Sequence, residues 1–131
     1  MKKKGILNVE LSAALAGLGH MEKVLIGDAG MPVPENVPVI DLVLVAGIPT
    51  FEQVVKAIAE EIVVEKYTVA SEMKEKNQRN RKMLEETFEG TEREEMPHAA
   101  LKEFTAQCKF AVRTGENTPF ANVVIQAGVA F

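Results

Sequence analysis

The sequence predicts an α/β domain in which a mostly parallel central sheet is flanked by helices. Short apolar runs alternate with amphipathic segments along the chain, which is typical of strands and helices packed in layers. The apolar runs are continuous, as expected of strands that are covered on both faces. With 131 residues, 47% of them hydrophobic, the chain is predicted to form one domain over residues 1–131.

Composition excludes several classes of protein. The charged fraction is 26% and the net charge is -4, which is not the basic surface that nucleic-acid binding needs. The basic start at Lys2 is followed by Asn8 and Glu10, so no signal peptide is indicated, and no apolar run reaches transmembrane length. Cys108 has no second cysteine to pair with. We therefore expect a cytoplasmic protein that needs no disulfide or metal.

The first half of the chain gives clear signals for secondary structure. Asn8 is predicted to cap a helix that runs to Leu18 and stops at Gly19. Asp28 is predicted to lie at the carboxyl end of a buried strand. Four further elements are predicted from apolar periodicity, turn residues and a Thr-Gln capping box. They are a strand over Val39–Leu44, a turn over Ala46–Pro49, a helix from Thr50 to about Val63, and a strand over Lys66–Ala70.

The second half is more polar and its elements are less sharply defined. The charged segment Ser71–Glu89 carries a partial apolar stripe and is predicted to be a partly exposed helix. Gly90–Pro97 is predicted to be a polar connector. A short helix over His98–Gln107, a strand over Phe110–Arg113 and a closing strand over Asn122–Val129 complete the prediction.

None of the common cofactor motifs occurs in the chain. It contains no GxGxxG, GxxxxGK[ST], HExxH or GxSxG pattern. Its only histidines, His20 and His98, have no spacing that indicates a metal site. We therefore expect acid/base chemistry without a metal or cofactor.

Three segments together resemble the D-ribose pyranase family, which belongs with the fucose mutarotases among cofactor-free sugar isomerases. They are Gly19-His20, the loop Asp28–Pro34, and the block Arg113–Asn122 with the apolar run Val123–Val129 that follows it. The resemblance runs from Met1 to Phe131. It implies pentameric rings, two of which stack as a decamer, with a site shared between subunits. It also implies interconversion of β-D-ribopyranose and β-D-ribofuranose, which supplies the furanose to a ribokinase.

His20 and Asp28 are the candidate catalytic residues, and Asp28 is the expected neighbour of His20. Opening a cyclic hemiacetal requires a proton to leave the anomeric hydroxyl and a proton to reach the ring oxygen. One imidazole can serve both transfers, and a position just past a helix C-terminus favours its charged form. Asp28 could orient His20 or bind sugar hydroxyls. The structural alternatives are that His20 caps the helix and that Asp28 caps its own turn.

The resemblance assigns sugar contacts to residues near the C-terminus. They are His98, Phe120, Ala121 and Asn122, with Lys102 as a weaker companion one helical turn after His98. The chain departs from the family at Phe120, where a tyrosine is expected, and at Lys4, where relatives often carry a histidine. Lys102 could equally be a solvated surface residue.

Other functions share some of these features. A mutarotase for another sugar, such as fucose, would use the same chemistry in a pocket of different shape. A non-catalytic ribose-binding accessory of a sugar uptake system would use the same polar residues without accelerating ring opening. A purely structural ring-forming protein is the third alternative.

Overall fold

A six-stranded sheet forms the centre of the structure, a computed structural model that describes residues 1–131. The strands are β1 (Lys23–Gly27), β2 (Val39–Asp41), β3 (Val64–Ala70), β4 (Glu92–Met96), β5 (Phe110–Arg113) and β6 (Val123–Ala127). The helices are α1 (Val9–Ala16), α2 (Phe51–Ala59), α3 (Met73–Lys76), α4 (Gln78–Thr87) and α5 (His98–Phe104), with a 3-10 turn over Thr105–Gln107.

The sheet has the strand order β2-β5-β1-β6-β3-β4. Strand β6 runs antiparallel to its neighbours β1 and β3, and the other pairings are parallel. The prediction of an α/β domain with a mostly parallel sheet is confirmed. Because β6 is reversed, its amino end lies at the same edge of the sheet as the carboxyl ends of the other five strands.

The central strands β1, β5 and β6 are buried on both faces, as the continuous apolar runs predict. In β1, Val24 and Ile26 belong to the larger core cluster, whereas Leu25 belongs to a smaller cluster on the opposite face. The larger cluster includes buried residues of α1, α2 and α4, and the smaller one includes Leu101 of α5. Successive side chains of a strand point to opposite faces, so β1 joins the two cores.

Helix ends differ from the prediction in three places. Helix α1 is capped by Asn8, as predicted, but it ends at Ala16 with Gly17 as its C-cap rather than at Leu18. Helix α2 has the predicted capping box but ends at Ala59 rather than near Val63. The charged helix is two helices, because the backbone of Asn77 is not helical (φ -151°, ψ 66°) and its side chain caps α4.

The prediction of a polar connector over residues 90–97 was wrong. Glu92–Met96 forms the edge strand β4, paired in parallel with β3. Lys66 of β3 forms salt bridges with Glu92 and Glu94 across the pairing. Charged residues are common on edge strands, where they discourage pairing with other chains, and they hide the apolar pattern from which a strand is usually predicted.

No helix combines the length and the apolar character that spanning a membrane needs. No group of three or more His, Cys, Asp or Glu side chains is placed to hold a metal ion.

Candidate active site

The candidate site lies at the edge of the sheet where the parallel strands end. Asp28 follows β1, and His98 follows β4 after Pro97. Asn122 precedes the reversed strand β6, which lies beside β1. The carboxyl edge of an open α/β sheet is where ligands commonly bind. The topology therefore brings residues from distant parts of the sequence to one edge.

Asp28 and Asn122 form a reciprocal pair at the centre of this edge. The backbone N–H of Asp28 donates to Oδ1 of Asn122, and Nδ2 of Asn122 donates to Oδ2 of Asp28, both at 2.9 Å. Asn122 is fully buried. The Oδ1 atom of Asp28 accepts a hydrogen bond from the N–H of Gly30 at 3.0 Å, so Asp28 also caps its own turn, as the structural alternative predicted. The pair fixes both side chains in one arrangement.

His98 and Phe120 form the apolar side of the same edge. Their ring centroids are 5.0 Å apart and the rings are nearly perpendicular, a favourable geometry for aromatic rings. The Nδ1 atom of His98 is buried and makes no hydrogen bond within the chain. Ala121 is fully buried between Phe120 and Asn122. Lys102 is exposed on α5, one turn after His98.

Glu72, which follows β3, contacts the start of α5. Both of its carboxylate oxygens accept a hydrogen bond from the backbone N–H of His98 at 3.0 Å. Burial raises the pKa of Glu72, but hydrogen bonds from its own N–H, from the N–H of His98 and from the Ser71 hydroxyl outweigh that effect, so its pKa lies below the ordinary value. Glu72 is therefore a carboxylate at neutral pH.

His20 lies away from this edge, so within one chain it is not the neighbour of Asp28. The two residues lie at opposite ends of β1, whose five residues separate them by about 16 Å. His20 is exposed, and its Nε2 lies 2.9 Å from Oε2 of Glu65 near the start of β3. The pKa of Glu65 is lowered by a hydrogen bond from Gln126, which has the largest effect, and by a hydrogen bond from His20. His20 is also four positions beyond the last residue of α1 rather than at its end.

A cavity of about 460 Å³ lies beside His20 at this opposite edge. Its lining is mostly apolar and includes Leu15, Leu18, Ile62 and the C-terminal residues Val129 and Phe131. Val129 and Phe131 are themselves exposed. Asp28, Asn122 and His98 do not line this cavity, so His20 and the Asp28 cluster occupy separate surfaces of one chain.

The segment before Phe120 is anchored by buried polar groups. Oε2 of Glu116 accepts from the N–H of Phe51 at the start of α2, and Oε1 accepts from the Thr118 hydroxyl at 3.0 Å. Nδ2 of Asn77 donates to the carbonyl of Pro119 at 2.8 Å. These contacts fix the backbone that leads into Phe120 and Asn122.

Sequence reasoning missed Glu65, Glu72 and the anchoring role of Glu116. In the sequence, Glu72 is one of many charged residues in the segment Ser71–Glu89. Its position two residues after a predicted strand was the available signal, because the same rule placed Asp28 correctly. Glu65 precedes the predicted start of its strand, so nothing in the sequence pairs it with His20.

Comparison with known proteins agrees with the resemblance carried by the three sequence segments. The model of the RbsD / FucU transport protein family matches residues 1–130. The chain belongs to the RbsD/FucU family. Within it, the D-ribose pyranase of Bacillus subtilis (strain 168) is 49% identical over 131 residues, and the match covers all of both chains.

Solved structures of RbsD/FucU proteins share the fold. The structure of Bacillus subtilis RbsD complexed with D-ribose covers 100% of both chains at 49% identity, with a TM-score of 0.96. FucU from Bifidobacterium longum covers 95% of this chain and 96% of its own at 20% identity, with a TM-score of 0.78. The second likeness shows the fold alone.

Proposed function

We propose that this protein is a D-ribose pyranase, which interconverts β-D-ribopyranose and β-D-ribofuranose. The observation that carries the proposal is the full-length likeness, at 49% identity and a TM-score of 0.96, to a relative whose structure was solved with D-ribose. The reaction opens and recloses a hemiacetal and needs only proton transfers. No cofactor or metal is part of the proposal.

The residues at the carboxyl edge fit a small polyhydroxylated ligand. Asp28 presents acceptor oxygens, and Asn122 can both donate and accept. The imidazole ring of His98, which is half-buried, gives a sugar hydroxyl another partner, and the Phe120 ring packs on the apolar face of the sugar. Lys102 is proposed as a further donor from α5. We assign substrate binding to Asp28, His98, Lys102, Phe120, Ala121 and Asn122.

His20 is proposed as the proton shuttle, acting on a sugar held by another copy of the chain. Within one chain His20 and Asp28 lie at opposite ends of β1, so they can act on one sugar only if two copies bring opposite edges together. Repeated head-to-tail contacts between two different edges form a ring when the rotation between successive copies closes. The proposed assembly is a pentameric ring or a decamer of two such rings, in the cytoplasm.

The experiment is saturation-transfer NMR on D-ribose at equilibrium, with no protein, with the unaltered protein and with His20→Ala. We expect the unaltered protein to accelerate pyranose-to-furanose exchange. His20→Ala should fold and assemble normally, bind D-ribose and lose most of the acceleration, because general acid/base catalysis contributes about 10²–10⁴-fold. Circular dichroism and light scattering verify the fold and the assembly of the variant.

Other outcomes select the alternatives. Full activity in His20→Ala would show that His20 is not the shuttle. D-ribose binding without acceleration by the unaltered protein would indicate a ribose-binding accessory. Acceleration of fucose ring opening, with none for D-ribose, would indicate a fucose mutarotase.

A further inference from the structure

Helix α5 begins at His98, and no side chain at its N-cap position caps it. Its N-cap residue is Pro97, whose side chain makes no capping hydrogen bond, and its first turn contains no acidic residue. The first N–H groups of any helix have no partner within the helix. His98 is the first residue of α5, so its N–H depends on a group from elsewhere in the chain.

Glu72 supplies that group from 26 positions away in the sequence. Both of its carboxylate oxygens lie 3.0 Å from the backbone nitrogen of His98. Hydrogen bonds to a charged acceptor are roughly twice as strong as neutral ones. The negative charge also lies at the positive end of the helix dipole. The contact therefore fixes the residue with which α5 begins.

The register of the sheet brings these two residues together. Ala70 of β3 is paired with Met96 of β4, and the N–H of Ser71 donates to the carbonyl of Met96 at 2.8 Å. Glu72 and His98 are each two positions beyond this last pair. Because the strands are parallel, both residues leave the sheet at the same edge.

The same contact bears on the sugar site. The ring of His98 packs against Phe120 with a centroid distance of 5.0 Å, so the position of the His98 backbone also sets where these two rings meet. A side chain holds a ligand well only if its own position is fixed by surrounding contacts. Glu72 makes such a contact from outside the ligand site.

We propose that Glu72 is a positioning residue for His98: its carboxylate fixes the start of α5 so that the imidazole lies ready to contact the sugar. This inference rests on the proposed function, because the sugar contact of His98 belongs to that proposal. Glu72 itself touches no substrate. Its contribution is expected in sugar affinity and only through His98.

The test compares D-ribose binding and exchange kinetics in Glu72→Ala, Glu72→Gln and the control Glu75→Ala. Glu75 lies in α3 and is exposed, so its substitution removes the same charge from the same segment without touching α5. Glu72→Ala should weaken D-ribose binding by at most about fivefold, because a lost helix cap lowers the stability of the helix by an amount equivalent to about that factor. Glu72→Gln keeps one neutral acceptor, so binding should weaken about twofold. Glu75→Ala should bind as the unaltered protein does.

A double-mutant cycle with His98→Ala separates positioning from general structural support. If Glu72 acts through His98, adding Glu72→Ala to His98→Ala causes no further loss of affinity. Equal losses in both backgrounds, or no loss in either, would overturn the proposal. The KM for D-ribose should rise in Glu72→Ala while kcat changes little, because the chemical step is assigned to His20.

Amide hydrogen exchange of His98 distinguishes failure of this proposal from failure of the proposed function. The amide hydrogen of His98 should exchange with solvent faster in Glu72→Ala than in the unaltered protein, whereas its exchange rate should be unchanged in Glu75→Ala. If the unaltered protein neither binds nor interconverts D-ribose, the proposed function is wrong, and His98 has no sugar contact for Glu72 to serve. An unchanged exchange rate in Glu72→Ala would overturn the positioning role by itself.

Discussion

Phe120 and Met21 are the two non-glycine residues with a left-handed backbone, at φ values of 56° and 68°. Residues that have a Cβ rarely adopt this backbone conformation, and those that do cluster at functional sites. Met21 follows His20, and Phe120 begins the segment that ends in Asn122. The N–H of Asn122 donates to the carbonyl of Phe120 at 2.9 Å. The backbone turn therefore directs the Phe120 ring toward His98 and places the Asn122 amide beside Asp28.

Phe120→Tyr is expected to preserve or strengthen D-ribose binding. The substitution keeps the ring that contacts His98 and adds a hydroxyl, and one hydrogen bond to a sugar contributes about 0.5–1.5 kcal/mol. Isothermal titration with D-ribose measures the change. Phe120→Leu serves as the control that removes the ring, and it should bind more weakly than the unaltered protein. Weaker binding by Phe120→Tyr would show that the ring edge has no room for a hydroxyl beside the sugar.

At the scale of elements, the segment Thr114–Asn122 depends on close contact with the turn before α2. A Cβ on Gly115 would lie 2.5–2.6 Å from the backbone O, C and N atoms of Ile48. The N–H of Gly115 donates to the carbonyl of Pro49 at 2.8 Å, and the carbonyl of Gly115 accepts from Gly47. These contacts leave no room for a side chain at position 115. The segment that carries the proposed substrate contacts of Phe120, Ala121 and Asn122 is thus held by a turn that contributes none.

Gly115→Ala is expected to destabilise the protein and to weaken D-ribose binding. Overpacking of this kind costs about 1–3 kcal/mol, and for a chain of this length Tm should fall by roughly 4 °C or more. Differential scanning calorimetry measures the shift. Gly17→Ala is the matched control, because a Cβ there has only ordinary contacts at 3.5 Å or more. An unchanged Tm in Gly115→Ala would show that the two segments can separate without cost.

At the scale of the whole molecule, the proposed chemistry is divided between two edges of one sheet. Asp28, Asn122 and His98 occupy the edge where the parallel strands end, and His20 occupies the opposite edge with Glu65. The cavity beside His20 is lined largely by apolar residues, and Phe131 is exposed there. A chain with this arrangement has all the proposed groups but cannot bring them to one sugar by itself.

Co-expression of His20→Ala with Asn122→Ala is expected to restore activity that neither variant has alone. In a random mixed ring of the two chains, about a quarter of the shared sites combine an intact His20 with an intact Asn122. Saturation-transfer NMR measures D-ribose exchange, and differently tagged chains verify that the rings are mixed. Mixing the two proteins after separate assembly is the control and should restore little. Absence of activity in verified mixed rings would argue against a site shared between subunits.

The sequence by itself determined the α/β class, the buried strands and most helix starts. Continuous apolar runs and side-chain caps such as Asn8 and Thr50 act over a few residues, so their physical consequences are readable locally. The same local logic correctly placed Asp28 after a strand. It failed at Glu92–Met96, because an edge strand rich in charge gains its stability from pairing with β3 rather than from its own pattern.

Only the tertiary structure decided which site residues lie together. The reversal of β6 brings Asn122 to Asp28 across 94 positions of sequence, and the parallel register of β3 and β4 brings Glu72 to His98. The extended strand β1 also separates His20 from Asp28, although these residues are close in sequence. An extended strand carries its two ends apart, and strand pairing joins distant segments. Proximity in the site therefore depends on sheet order and direction, which no local pattern in this sequence encodes.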